Sequence, residues 1–444
     1  MAFMITVVLG LLALSLVIFI HELGHFIAAR IYGVTVISFS IGWGPVLFRK
    51  RIGDTEYRIS ALPIGGYCNM KGEHDYRDAI EKNLDRVSSD PETFYGTRPL
   101  KRLFIAFAGP LFNLIFAVLV FTLVSASGYE YETWGNRIVL ASDYTETAPL
   151  PADLAGFKSG DRIIAFDETP VTTFSDIQQY VTDKAGENLS ATVERDGTEH
   201  ILTVIPELDK STGAGRIGVY PWIPLVIGTV TEGSAADTSG IKPGDVLFEV
   251  NGEPVHHLLD FEKALESRPE QIVISLNREG IHLRVPLVLI YPGETGAETG
   301  IQWKTETVTV PGTGPVTSVA NGLADTGRIL RLTVKSIALL FGGVDVSQAV
   351  SGPVRITLMM GEVAQQGILA LSELLGVICI SLFLMNLLPV PVLDGGTVLF
   401  ALVELVMRKP LRPRIMYRIQ FIGIGFILFV FIFALLGDIR YLIQ

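Results

Sequence analysis

The stretch IFIHELGHFIAAR, residues 18–30, closes an apolar run that begins at Met4. A helix needs roughly 20 apolar residues to cross the bilayer's ~30 Å hydrocarbon core, and this run is long enough. Inside it stand His21, Glu22 and His25. Ionisable groups at membrane depth are costly and point to function. The run has neither the basic start nor the small-residue cleavage site of a signal peptide, so it reads as a retained transmembrane helix.

His21, Glu22 and His25 form H-E-x-x-H. On a helix, residues four apart lie about 40° apart around the axis and about 6 Å apart along it, so both imidazoles can reach one ion. Zinc accepts histidine nitrogens, and a catalytic zinc keeps one position open beside three protein ligands. Glu22, next to the first ligand, is placed to act as general base. The competing reading is a chance match or a pair of hydrogen-bonded core histidines.

A third ligand must come from elsewhere in the membrane. His74, His200, His256, His257 and His282 all fall outside the apolar runs, whereas Asp394 lies in MNLLPVPVLDGGTVLF, residues 385–400. Pro389 and Pro391 remove backbone donors and break the helix there, and irregular backbone survives at membrane depth only where it lines a cavity within the protein. A carboxylate in that cavity would complete a two-histidine, one-carboxylate site. The alternative is a plain loop at the membrane exit.

With 49% hydrophobic residues in 444, the chain fits a mixture of spans and water-soluble domains. Further runs of spanning length cover residues 103–126, about 368–389, and 420–437. ILRLTVKSIALLFGG, from Ile329, mixes charge into a helical apolar pattern and predicts a helix on the membrane surface or packed on a domain. Basic residues favour the cytoplasmic side. They cluster at Arg30, Arg49, Lys50, Arg51, Arg98, Lys101 and Arg102, and again at Arg408, Lys409, Arg412, Arg414 and Arg418. Residues 127–367 and both termini are therefore expected outside. The net charge of −11 resides mainly in that outer region and excludes the basic face that nucleic-acid binding needs. Cys68 and Cys379 are expected to form neither a disulfide nor a metal site.

The outer region is duplicated. ADLAGFKSGDRIIAFDETPVTTFSDIQQYV from Ala152 aligns without gaps on ADTSGIKPGDVLFEVNGEPVHHLLDFEKAL from Ala236, which means two copies of one supersecondary unit. Each copy resembles a PDZ domain, a fold that binds peptides as an added strand. The stretch YPWIPLVIGTV lacks the Gly-x-Gly of carboxylate-binding loops, so two readings stay open: a lid acting by bulk, or a peptide receptor with its groove near Val226–Val230.

Three motifs together, H-E-x-x-H in the first run, FAGPLFN (residues 107–113) in the second and NLLPVPVLDGG in the third, resemble the site-2 protease family of intramembrane zinc metalloproteases. Two PDZ-like copies between the second and third spans narrow the resemblance to the regulator of sigma-E protease type. The resemblance implies a multi-domain membrane protein with an α-helical core of four spans, a membrane-associated β-hairpin, and two α+β PDZ-like domains on the outer side. In order, the expected parts are helix 1 with the zinc motif (1–30), the cytoplasmic hairpin loop (31–102), helix 2 (103–126) and the PDZ-like domains (127–210 and 211–292). A linker with an amphipathic helix (293–367), helix 3 with its broken Asp-containing segment (368–407), a basic loop (408–419) and helix 4 (420–437) follow.

Carried over by position, His21, His25 and Asp394 are the Zn2+ ligands and Glu22 the catalytic acid/base. Asn386, Pro389 and the Gly42-Trp43-Gly44 motif of IGWGPVLF are the substrate-binding residues, and PIGGYCNM (63–70) matches a second segment of the hairpin, with Cys68 and Asn69 as departures. The implied partners are membrane lipid and single-pass membrane proteins: an anti-sigma factor first trimmed outside the membrane, or remnant signal peptides. The implied location is the bacterial inner membrane, with the PDZ domains and both termini in the periplasm. A different class, a non-enzymatic scaffold that binds peptides through its PDZ pair around a structural metal, needs a fourth protein ligand. A transporter would show an inverted repeat, which the spans lack.

Overall fold

The computed structural model describes residues 2–73, 75, 90–144, 149–209, 213–291, 296–340 and 352–443. The chain forms two compact units, residues 1–129 with 311–444, and residues 130–310.

The first unit is mainly helical. Among the described residues, four of its helices are long and apolar enough to cross a membrane: Phe3–Tyr32, Pro99–Ser127, Ile368–Asn386 and Pro413–Ile439. They lie in α1 (Ala2–Tyr32), α2 (Pro99–Ser127), α5 (Ile368–Asn386) and α7 (Pro413–Ile443). The last helix starts at Pro413, earlier than its apolar run, and takes in Arg414 and Arg418 from the expected basic loop. Proline suits a first helical turn because its missing N–H has no partner to lose there.

Two amphipathic helices join these, α3 (Pro315–Leu340) and α4 (Pro353–Gln366). The helix expected around Ile329 thus begins well before it and packs against α2: Asn321 donates to Ser125 Oγ at 2.9 Å, and a β-carbon on Gly322 would lie 2.4 Å from Thr122 Oγ1. Residues 341–351 of the expected linker lie outside the described residues. α1 and α4 approach through glycine, since β-carbons at Gly10 and Gly361 would each stand 1.9 Å from a backbone oxygen of the other helix, Thr357 and Thr6. Small residues of this kind let membrane helices pack backbone to backbone. Cys68 and Cys379 are free and buried, each within an apolar cluster.

Between α1 and α2 runs a hairpin, β1 (Val36–Ile52) and β2 (Thr55–Met70), turned at Gly53-Asp54. It doubles back on itself, because residues 38–41 pair both with 66–69 and with 56–59. The fold-back explains the glycines. Gly42, Gly44 and Gly65 have φ of +84°, +84° and +90°, and a β-carbon on Gly66 would lie 2.4 Å from the Ser40 carbonyl oxygen.

The second unit contains the repeat. Each copy has a four-stranded sheet of the same order: Thr169–Pro170, Arg162–Phe166, Leu189–Arg195, Thr198–Val204, and Glu253–Pro254, Val246–Val250, Gln271–Arg278, Ile281–Val288. The KSGD and KPGD turns have a structural cause. Asp161 and Asp245, both buried, each accept two bonds from an arginine, Arg195 or Arg278, at 2.7–2.8 Å. Each also accepts the backbone N–H three residues earlier, and each arginine donates on to the glycine carbonyl that ends the short helix. A buried carboxylate needs such a full set of partners.

The copies are divided later than expected. Val219–Pro221 pairs with Ile138–Leu140, and Ile301–Trp303 pairs with Ile227–Val230, so each copy is closed by a strand that follows its main sheet. Ile217 sits in the first core and Leu225 in the second, which moves the boundary from residue 210 to just after Pro221 and the second copy's end from 292 to about 303. Ile227–Val230, in the segment where the peptide-receptor reading puts its groove, pairs with the chain's own Ile301–Trp303. Tyr144 of the first copy donates to Asp260 of the second at 2.6 Å, tying the two together.

Candidate metal centre

The third span ends at Asn386 and the chain restarts as α6 (Asp394–Met407). Between them run Leu387–Leu393, with Pro389 and Pro391, and Val392 at φ +95°. A β-branched residue in that region is strained and persists only where its surroundings fix it. The fixing contacts are close. β-Carbons on Gly395 and Gly396 would lie 2.3 Å from the Leu388 and 2.5 Å from the Val390 carbonyl oxygens, and one on Gly423 of α7 would lie 2.2 Å from that of Pro391. The DGG motif therefore lets the broken segment fold back over the start of α6, where the helix dipole favours the Asp394 carboxylate. A buried pair, Arg102 of α2 with Glu404, anchors the same helix, and Glu404 also accepts the Leu411 N–H at 2.9 Å.

That arrangement brings Asp394 to the H-E-x-x-H motif. His21 Nε2 lies 3.1 Å from Asp394 Oδ2, His25 Nε2 lies 3.3 Å from Asp394 Oδ1, and the two Nε2 atoms are 3.2 Å apart. Ligands at ~2.0–2.2 Å around a tetrahedral zinc stand about 3.3–3.5 Å from one another, so the three groups have close to the spacing of one zinc's ligand shell. Two imidazole lone pairs and a carboxylate aimed at one point repel unless a cation or protons lie between them, which suits the donor set to a metal. Among the described residues this is the only such group of histidines, cysteines and acids.

The second span builds the other wall. His25 Nδ1 lies 2.8 Å from the carbonyl oxygen of Ile105, and Asn113 Nδ2 lies 3.4 Å from His21 Nδ1. Gly109, midway between, makes room: a β-carbon there would stand 2.2 Å from His25 Nε2. Ile105, Gly109 and Asn113 recur every fourth residue, one face of α2. Gly24, inside the histidine motif, lets the helices meet, since its β-carbon would lie 2.3 Å from the Ala108 carbonyl oxygen. FAGPLFN held this information as a motif without assigned roles; the period of four was the available signal.

Glu22 is partly buried beside the same cluster, close enough to feel the charges of His25, His21 and Asp394, with the backbone of Cys68 in β2 nearby. Asn386 ends α5 half-buried and Pro389 lies exposed in the broken segment. Trp43 is exposed, its indole N–H donating to the Gly66 carbonyl at 3.2 Å across the hairpin's fold-back. Of the remaining histidines, His200, His256, His257 and His282 belong to the second unit and His74 lies outside the described residues.

Comparison with known proteins gives the family. The family described as Peptidase family M50, the site-2 proteases, matches residues 9–430. Three curated relatives carry the name "Putative zinc metalloprotease": one from Treponema pallidum, 42% identical over 99% of this chain and 100% of its own length; one from Borreliella burgdorferi, 30% over 99% of each; and one from Ralstonia nicotianae, 31% over 98% of each. The chain belongs to peptidase family M50 and is a multi-pass membrane zinc metalloprotease.

Proposed function

We propose that this protease hydrolyses a peptide bond inside the transmembrane segment of a single-pass protein, with His21, His25 and Asp394 holding zinc and Glu22 as general acid/base. The observation that carries the reading is the meeting of Asp394 with both histidines at 3.1–3.3 Å beside a retained acid. When bound, zinc supplies Lewis acidity toward the scissile carbonyl and the attacking water. Glu22 takes the water's proton and returns it to the leaving amine. Among the described residues the group holds three protein ligands beside an adjacent base, the composition of a catalytic rather than a closed structural site, which favours the protease over the scaffold alternative.

A substrate helix satisfies its own amides and must unwind before its carbonyls can react. The β2 end of the doubled hairpin packs along α1, with the Ser15 hydroxyl donating to the Gly65 carbonyl at 3.4 Å and Gly65 against Ile18. An unwound segment can add to that hairpin as a further strand, with Asn386 and the Gly42–Gly44 bend as further contacts. We assign the two outer copies as PDZ-like domains in the periplasm of a bacterial inner membrane and take them as a filter by size. Anti-sigma factors already trimmed outside the membrane and remnant signal peptides are then the substrate classes. Purified protein in lipid, given a single-pass substrate and zinc, should yield two fragments whose masses place the cut within the span; a cut in the flanking soluble sequence would defeat the proposal.

A further inference from the structure

Asn113 is wholly buried in the second span, and its Oδ1 has no hydrogen-bond partner. Its Nδ2 faces His21 Nδ1 at 3.4 Å. A buried amide is kept out of an apolar helix face unless its polar atoms have work there. The two ends of an amide are nearly identical in shape, so its orientation follows the hydrogen bonds around it.

The two histidines differ in what meets their Nδ1 atoms. His25 faces the Ile105 carbonyl at 2.8 Å, and a carbonyl only accepts. Its Nδ1 must carry the proton, which leaves Nε2 with a lone pair toward the centre. His21 has no such fixed partner, because Asn113 can present either a donor or an acceptor. With Nδ2 turned to His21, the imidazole proton sits on Nε2 and is donated to Asp394 at 3.1 Å, an arrangement that blocks metal binding. With the amide turned by half a revolution, Oδ1 accepts the Nδ1 proton and Nε2 is free.

We propose that Asn113 is the positioning residue of His21: its amide oxygen accepts the His21 Nδ1 proton and so turns the Nε2 lone pair to the metal. The assignment rests on the metal centre of His21, His25 and Asp394 proposed above. Partners of this kind orient metal-bound histidines and strengthen their basicity. The same amide also serves the metal-free tautomer by reversing, which keeps His21 held before zinc arrives.

The test compares Asn113→Leu, which keeps the size and removes both polar atoms, with Asn113→Asp, which keeps an acceptor oxygen, in the purified full-length protein. Zinc affinity is measured by competition with a chromophoric chelator, and ligand geometry by the visible absorption bands of the cobalt-loaded protein. Asn113→Leu should bind zinc about 10- to 100-fold more weakly with altered cobalt bands, while Asn113→Asp keeps wild-type affinity or exceeds it. Where the leucine variant fails to fold, Asn113→Ala makes the same comparison. Wild-type zinc affinity in the leucine or alanine variant would overturn the proposal, as would equal weakening in the aspartate variant. Asp394→Asn and His21→Ala run alongside: normal zinc binding in these two would condemn the metal centre itself, whereas their failure to bind with normal Asn113 variants condemns only the role of Asn113.

Discussion

Gly109 of the second span leaves the volume that His25 of the first span fills, since a β-carbon at position 109 would stand 2.2 Å from His25 Nε2. Gly109→Ala must push the imidazole off the point it shares with His21 and Asp394. We expect at least tenfold weaker zinc binding and matching loss of proteolysis, while overpacking costs about 1–3 kcal/mol of stability. Zinc content after dialysis and thermal unfolding separate the two effects; full zinc occupancy in this variant would show that the ring has room to move.

Glu22→Gln removes the base and keeps every proposed ligand. Proteolysis should fall by about 10²- to 10⁴-fold with zinc content unchanged. A rate near wild type would require another base.

Asp394→Asn, His21→Ala and His25→Ala should each lower zinc occupancy without dissolving the helical core, because transmembrane helices satisfy their backbone groups internally. Circular dichroism beside metal analysis checks both halves. Chelation of the wild type should likewise abolish activity reversibly, with added zinc restoring it.

Chain entry to and exit from residues 130–310 lie side by side: Thr313 N–H donates to the Ser125 carbonyl at 2.9 Å, and Ser125 and Thr313 hydroxyls are 3.0 Å apart. Removing 130–310 and rejoining the ends with a short linker should therefore leave the membrane unit intact. If the outer copies filter by size, the shortened enzyme cuts substrates that retain a bulky outer domain and cuts trimmed ones at an unchanged rate. Discrimination that survives the deletion would contradict the filter.

Acid should loosen the outer unit. Burial pushes the Asp245 carboxyl up, but the Arg278 hydrogen bonds and the Lys242 N–H outweigh it and hold the group below the ordinary carboxylate range. Asp176 and Asp260 are lowered in the same sense, against burial, by hydrogen bonds from Thr172 and Thr173 and from Tyr144 and His256. A folded pKa below the unfolded one gives stability that is present above the unfolded value, about pH 4, and is lost as pH falls through the folded value. Unfolding of the outer unit followed by tryptophan fluorescence should shift to lower denaturant concentration below about pH 4.

Much of this protein is local in its sequence. The spans follow from run length against bilayer thickness, the histidine pair from a spacing of four on a helix, and the duplication from a constant offset between Gly160-Asp161 and Gly244-Asp245. The Asp161–Arg195 and Asp245–Arg278 pairs explain why that signature had to persist in both copies.

Other features depend on partners far away in the chain. The hairpin's fold-back, the strand that closes each copy, and the packing of α3 on α2 join segments whose own patterns do not name their neighbours. Thus the copy boundary was expected at residue 210 while the strand pairing puts it after Pro221. At the centre, the residue types of H-E-x-x-H and LDGG determined which chemistry was available, because ligand identity belongs to single residues and their helical spacing. Only the tertiary structure decided that Asp394, Ile105, Gly109 and Asn113 meet the two histidines, because contacts across 80 residues or more are set by which helix faces pack together.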